Sequence, residues 1–130
     1  MTSDKLRKMN SIRNHKDLKV YASSMRLAKE IYKLTVDFPT EEKYGLISQL
    51  RRAAVSVPSN IAEGSARKNT KELIQFLYHS LGSAVEIETQ LELSLSLELV
   101  TSNELYESVI SLNREVIYML TGLIKSLKNK

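Results

Sequence analysis

Residues 38–90 read FPTEEKYGLISQLRRAAVSVPSNIAEGSARKNTKELIQFLYHSLGSAVEIETQ. Two runs inside this stretch share one period. Ile47, Leu50, Ala54, Val57 and Ile61 step by three and four residues, and so do Leu73, Leu77, Leu81, Ala84, Glu88, Leu91 and Leu95. That spacing returns to one side of an α-helix at each turn and predicts two amphipathic helices. Thr40, followed by Glu41 and Glu42, is the expected start of the first, because acids in the opening turn suit the helix dipole. Gly64 stands where a left-handed residue would end it. Ser65 to Asn69 read as a polar turn, and Thr70 as the cap of the next helix. Pro58 falls inside the first run. It has no N–H and crowds the carbonyl of Ala54, so the helix is expected to kink or restart near Ser56, a kink being favoured.

The same period extends outward. Val20, Ser24, Leu27, Ile31, Leu34 and Phe38 form an upstream stripe, with Asp17 as the expected N-cap and Pro39 as the stop. Downstream, Leu105, Val109, Leu112, Val116, Met119 and Leu123 form another, opened by Thr101 and Glu104 as a capping box. Leu91, Leu93, Leu95, Leu97 and Leu99 alternate with polar residues, which is the strand period. Helix to about Leu97 is still expected, since β-branched residues are missing there and no second strand exists to pair with. The fold class is therefore all-α: an antiparallel up-down-up-down four-helix bundle over residues 17–128, behind a flexible basic arm at 1–16.

The 130 residues suit one domain with its own core. With no cysteine, disulfides and thiolate metal sites are excluded, which fits the cytosol. No apolar region follows the basic N-terminus as in a secretory signal, and no run of apolar residues is long enough to span a bilayer. The net charge of +4 conceals an asymmetry. Residues 1–71 carry 15 Lys and Arg against 7 Asp and Glu, whereas residues 72–124 carry Arg114 against 8 acids. Either basic and acidic helices pair, within the bundle or between subunits, or a basic face awaits a polyphosphate.

Catalytic constellations are hard to assemble. Di-metal carboxylate bundles need Glu-x-x-His on two helices, but the residues three before His15 and His79 are Ile12 and Phe76. There is no glycine-rich phosphate loop. Glu86, Glu88 and Glu92 read as a solvated stripe or a partner for cations rather than an acid–base pair. Gly82, with Ser80, Ser83 and Ala84, reads as a close helix contact. No enzyme and no cofactor are expected.

The cations carry more. Arg51 and Arg52 lie just off the apolar stripe of the second helix, and Arg67, Lys68 and Lys71 surround the turn before the third. These five are the candidate nucleic-acid-binding residues, helped by the dipole of the third helix. No aromatic–cation interleaving is seen, so contact should be with the phosphate backbone, weakly selective and steeply salt-dependent.

KDLKVY at 16–21, the segment from Phe38 to Arg67 centred on RRAAVSVPSNIAEG, and ELIQFLYHSLGSAVEIETQL at 72–91 resemble the four-helix-bundle proteins encoded in 23S rRNA intervening sequences. That family includes the accessory variability determinant proteins of diversity-generating retroelements. The resemblance covers about residues 15–125. It implies a small bundle assembled as a homopentamer, a basic surface binding DNA or RNA, and no catalytic residues. Retroelement members also bind a reverse transcriptase. A non-enzymatic nucleic-acid binder is the expected function, with a reverse-transcriptase subunit or a purely structural oligomer as alternatives, and no membrane partner.

Overall fold

Each hydrophobic period becomes a helix. A computed structural model describes residues 14–130, apart from the side chain of Asp17, and the expected arm lies largely outside the described residues. The helices are α1 (Lys19–Val36), α2 (Leu46–Ser65), α3 (Thr70–Ser96) and α4 (Asn103–Lys128), with short 3-10 turns at His15–Asp17 and Thr40–Glu42. There is no strand among the described residues. Sequential helices pack on one another and α4 closes on α1. Leu18 to Val20 stand beside Met119 to Lys125, so the start of α1 meets the end of α4, as the up-down-up-down topology requires.

The α1 stripe is buried throughout, from Val20 to Phe38. On α3 and α4 the buried stripe drifts by one residue along the helix. Ser80, Ile87 and Ser94 take the inward places expected for Leu81, Glu88 and Leu95, while Leu120 and Ile124 replace Met119 and Leu123. On α4 the shift runs toward the C-terminus, as it does where a 3.6-residue helix outruns a strict seven-residue repeat by about 20° per heptad, whereas on α3 Leu73, Ser80, Ile87 and Ser94 keep the seven-residue repeat and lie one residue earlier than expected. One result is that Leu93, Leu95 and Leu97 face solvent. The alternating leucines are nonetheless helical up to Ser96.

The closest helix pair is built from small residues. Ser80 Oγ donates to Val57 O at 2.8 Å, and the Ser56 and Ser83 hydroxyls meet at 2.9 Å. Gly64 does not serve as a left-handed stop; it lies inside α2, and no glycine has positive φ. Its missing side chain lets α3 approach, since a Cβ there would come within 2.7 Å of Phe76 Cβ. Gly82 takes no part in this contact, being exposed with nothing within 4 Å of a would-be Cβ.

The expected kink at Pro58 is not confirmed. α2 runs as one α-helix across the buried proline. Two side-chain bonds reinforce the same stretch: Asn60 Nδ2 donates to Ser56 O at 2.9 Å, and Ser80 Oγ donates to Val57 O. The starts of the helices also differ from expectation. Leu18 is the N-cap of α1, without a side-chain cap bond. Thr40 opens only the 3-10 turn, and α2 starts at Leu46 with Glu42 Oε1 accepting its N–H at 3.3 Å. Asn69 and Ser102, each one residue earlier or later than expected, cap α3 and α4 by accepting from Glu72 N and Leu105 N.

Candidate nucleic-acid interface

Antiparallel topology sorts charge in a way the linear count hides. The start of α1, the α2–α3 turn and the end of α4 share one end of the bundle. That end collects Lys16, Lys19, Arg67, Lys68, Lys71, Lys125, Lys128 and Lys130, all exposed, against Asp17, Glu63 and Glu72 from the same segments. The opposite end holds Asp37, Glu41, Glu42, Glu98, Glu104 and Glu107, with Lys33 and Lys43. α3 has 27 residues, so the ends stand about 40 Å apart. Interactions between exposed charges fall off over about 8–10 Å at physiological salt. The acidic end therefore does little to weaken the field of the basic one, and net charge is a poor guide to either.

Two of the cations at this end, Arg67 and Lys128, have solvent-exposed partners. Arg67 Nη2 meets Glu63 Oε1 at 2.9 Å and stacks over Phe76, 4.7 Å from the ring centroid. The pair is solvent-exposed, and such pairs are worth little and yield readily to a competing anion. Lys128 Nζ donates to Tyr78 Oη at 2.9 Å. Lys71 and Lys125 extend into solvent. The α3 N-terminus is less open to an anion than expected: Asn69 Oδ1 already accepts from Glu72 N, and Glu72 adds an acid to the first turn.

The five residues singled out from the sequence do not form one surface. Arg67, Lys68 and Lys71 gather at the basic end. Arg51 is 16 residues from Arg67 and Arg52 is 15, which places both roughly 24 Å away along the bundle axis. Arg51 is half-buried as a clamp between helices: its Nε donates to Thr35 Oγ1 at 2.9 Å, and its guanidinium lies over Tyr32, 4.5 Å from the centroid. Arg52 is exposed. Sequence reasoning missed Lys125 and Lys128 as members of the site. The available signal was the bundle topology itself, which returns the end of α4 to the α2–α3 turn.

No ion pair joins a basic helix to an acidic one among the described residues. Among the described residues, ion pairs join Lys33 to Glu30, Arg67 to Glu63 and Arg114 to Glu88, and none links α1 or α2 to α3 or α4. Glu88 holds the Arg114 guanidinium more firmly protonated by accepting its hydrogen bond. Glu86 accepts from Gln90 Nε2 at 2.9 Å, so the glutamate stripe is divided between separate partners. His79 is exposed beside Phe76 and His15 packs on Tyr21. Among the described residues no three His, Cys, Asp or Glu side chains cluster to hold a metal ion, and no helix is long and apolar enough to cross a membrane.

Fold and site together define a small four-helix bundle with one cationic end. The chain belongs to the family of the 23S rRNA-intervening sequence protein, whose family model matches residues 16–122. Among solved structures it is similar to a protein of unknown function from the S23 ribosomal protein family of Bacteroides thetaiotaomicron. The TM-score is 0.72 at 28% identity, covering 82% of this chain and 98% of that one. No curated protein matches.

Proposed function

We propose that this protein is a non-enzymatic nucleic-acid-binding bundle that grips the phosphate backbone with its basic end. The supporting observation is the gathering of lysines and arginines from the α1 start, the α2–α3 turn and the α4 end, with six acids gathered at the far end. Lys and Arg on such a surface bind by releasing the condensed counterions of a polyanion. Backbone contact of this kind fixes position without reading sequence. Four phosphate contacts give a log–log salt slope of about −3.6 on duplex DNA, or roughly a hundredfold weakening from 50 to 200 mM salt. Fluorescence anisotropy titrations of a labelled oligonucleotide at several salt concentrations test this. Affinity indifferent to salt overturns it.

A second reading, self-association into a ring, draws support from a different surface. A groove of about 550 Å³ between α1 and α2 is lined by Met25, Tyr32, Val55, Pro58 and Ala62, several of them exposed. Exposed apolar patches of this kind mark interaction sites. A ring would present several basic ends together, and avidity would then raise the affinity of a modest patch. Light scattering of the wild type and Val55→Glu tests it: a homopentamer that the variant disperses supports the ring, and a monomeric wild type removes it.

A further inference from the structure

We propose that the basic end holds unpaired rather than duplex nucleic acid, seating one base on Tyr78 in the groove between α3 and α4. This rests on the nucleic-acid reading above and adds the form of the ligand. Single-strand sites combine a cationic track for the backbone with an aromatic ring for a base, because every base has a π-face. The groove has both. It encloses about 410 Å³ and is lined by Tyr78, Leu81, Thr121, Lys125, Lys128 and Asn129.

Tyr78 is 45% exposed although it stands one residue from the buried Leu77. Its position is held by Lys128, whose ammonium is 2.9 Å from the hydroxyl yet 5.3 Å from the ring centroid. These two distances put the cation beyond the hydroxyl edge rather than over the ring, so a π-face is not used up by the ammonium. Leu81 supplies an apolar floor, and Asn129 a carboxamide near the rim. Lys125 and Lys128 then neutralise the phosphates flanking the stacked base, and the strand continues onto the other cations of this end.

Of the other exposed aromatics, Tyr118 is 80% exposed and shares a groove with Lys19 and Lys125, but among the described residues it has no hydrogen bond to fix its ring as Lys128 fixes Tyr78. Tyr32 is covered by Arg51, and Tyr44 stands at the acidic end beside Glu41 and Glu42. A paired base is already stacked on both sides and cannot reach Tyr78 without being extruded, which gives up its pairing and stacking. Single strands are therefore preferred.

The test compares a short labelled oligothymidylate with a duplex of equal length, using wild type, Tyr78→Ala, Tyr78→Phe and Tyr44→Ala. Tyr78→Ala is expected to weaken the single strand about 5- to 100-fold while leaving duplex binding and the salt slope unchanged. Tyr78→Phe keeps the ring and the affinity, and circular dichroism shows each variant folded. An equal loss in Tyr44→Ala, an unchanged single-strand affinity in Tyr78→Ala, or a parallel loss on both ligands overturns the stacking site while leaving backbone binding intact. If the wild type binds neither ligand at low salt, the nucleic-acid reading itself falls.

Discussion

Gly64→Ala is the sharpest probe of how the bundle is packed. An added Cβ would lie 2.7 Å from Phe76 Cβ, 3.2 Å from Leu73 Cδ1 and 3.4 Å from Leu73 O. Phe76 Cβ is fixed to the α3 backbone, so relief requires the two helices to part. Overpacking of this sort costs about 1–3 kcal/mol. Better helix propensity offsets up to about 1 kcal/mol of that. The net destabilisation is about 1–2 kcal/mol, or a Tm lower by about 3–10 °C for a chain this size. Gly82→Ala is the matched control. Nothing lies within 4 Å of its Cβ position, so only propensity acts. It should stabilise by about 0.5–1 kcal/mol. Urea and thermal unfolding followed by circular dichroism read both. Opposite signs are expected; a Gly64→Ala protein as stable as the wild type would refute the close α2–α3 approach.

Arg51→Ala removes the Thr35 bond and the stack on Tyr32, and should lower stability by about 1–2 kcal/mol in urea titrations while leaving the salt slope of nucleic-acid binding untouched. A flattened slope with unchanged stability would instead assign it to the ligand. Tyr106 gives a pH test. Burial, and then the Glu92 and Glu107 carboxylates, raise its pKa above 10.0. Unfolded tyrosine titrates near 10, so the folded state's hold on this proton contributes fully below that pH and is lost as pH rises through the folded value. The wild type should lose stability above about pH 10, and Tyr106→Phe should flatten that alkaline decline. Superimposable profiles would contradict it.

What the sequence disclosed follows from the range of each signal. The α1 stripe, short and ended by Pro39, was legible residue by residue. On α3 the choice of Leu95 over Ser94 followed hydrophobicity, but the seven-residue repeat that runs from Leu73 through Ser80 and Ile87 reaches the serine, whose hydroxyl donates to Gln90 O at 2.8 Å. The close-contact role belongs to Gly64 rather than to Gly82. Gly82 sits among small residues yet points outward, whereas Gly64, which looked like a stop, faces Phe76. Cap positions slipped by one because adjacent Asn69–Thr70 and Thr101–Ser102 offer equivalent chemistry, and backbone conformation selects between them. The site was half legible. Arg67, Lys68 and Lys71 are neighbours in sequence, but Lys125 and Lys128 join them only through the return of α4. Arg51 and Arg52 belonged to the same motif and lie elsewhere in space.

The most direct measurement sets two triple variants of equal charge against each other. One removes Arg67, Lys71 and Lys128 from the basic end; the other removes Arg26, Lys29 and Arg52 from the sides of α1 and α2. Salt-dependent anisotropy should show the first losing about 0.9 of slope for each phosphate contact removed, with the second close to wild type. Equal losses in both would mean that the whole particle's charge, and not its basic end, holds the ligand.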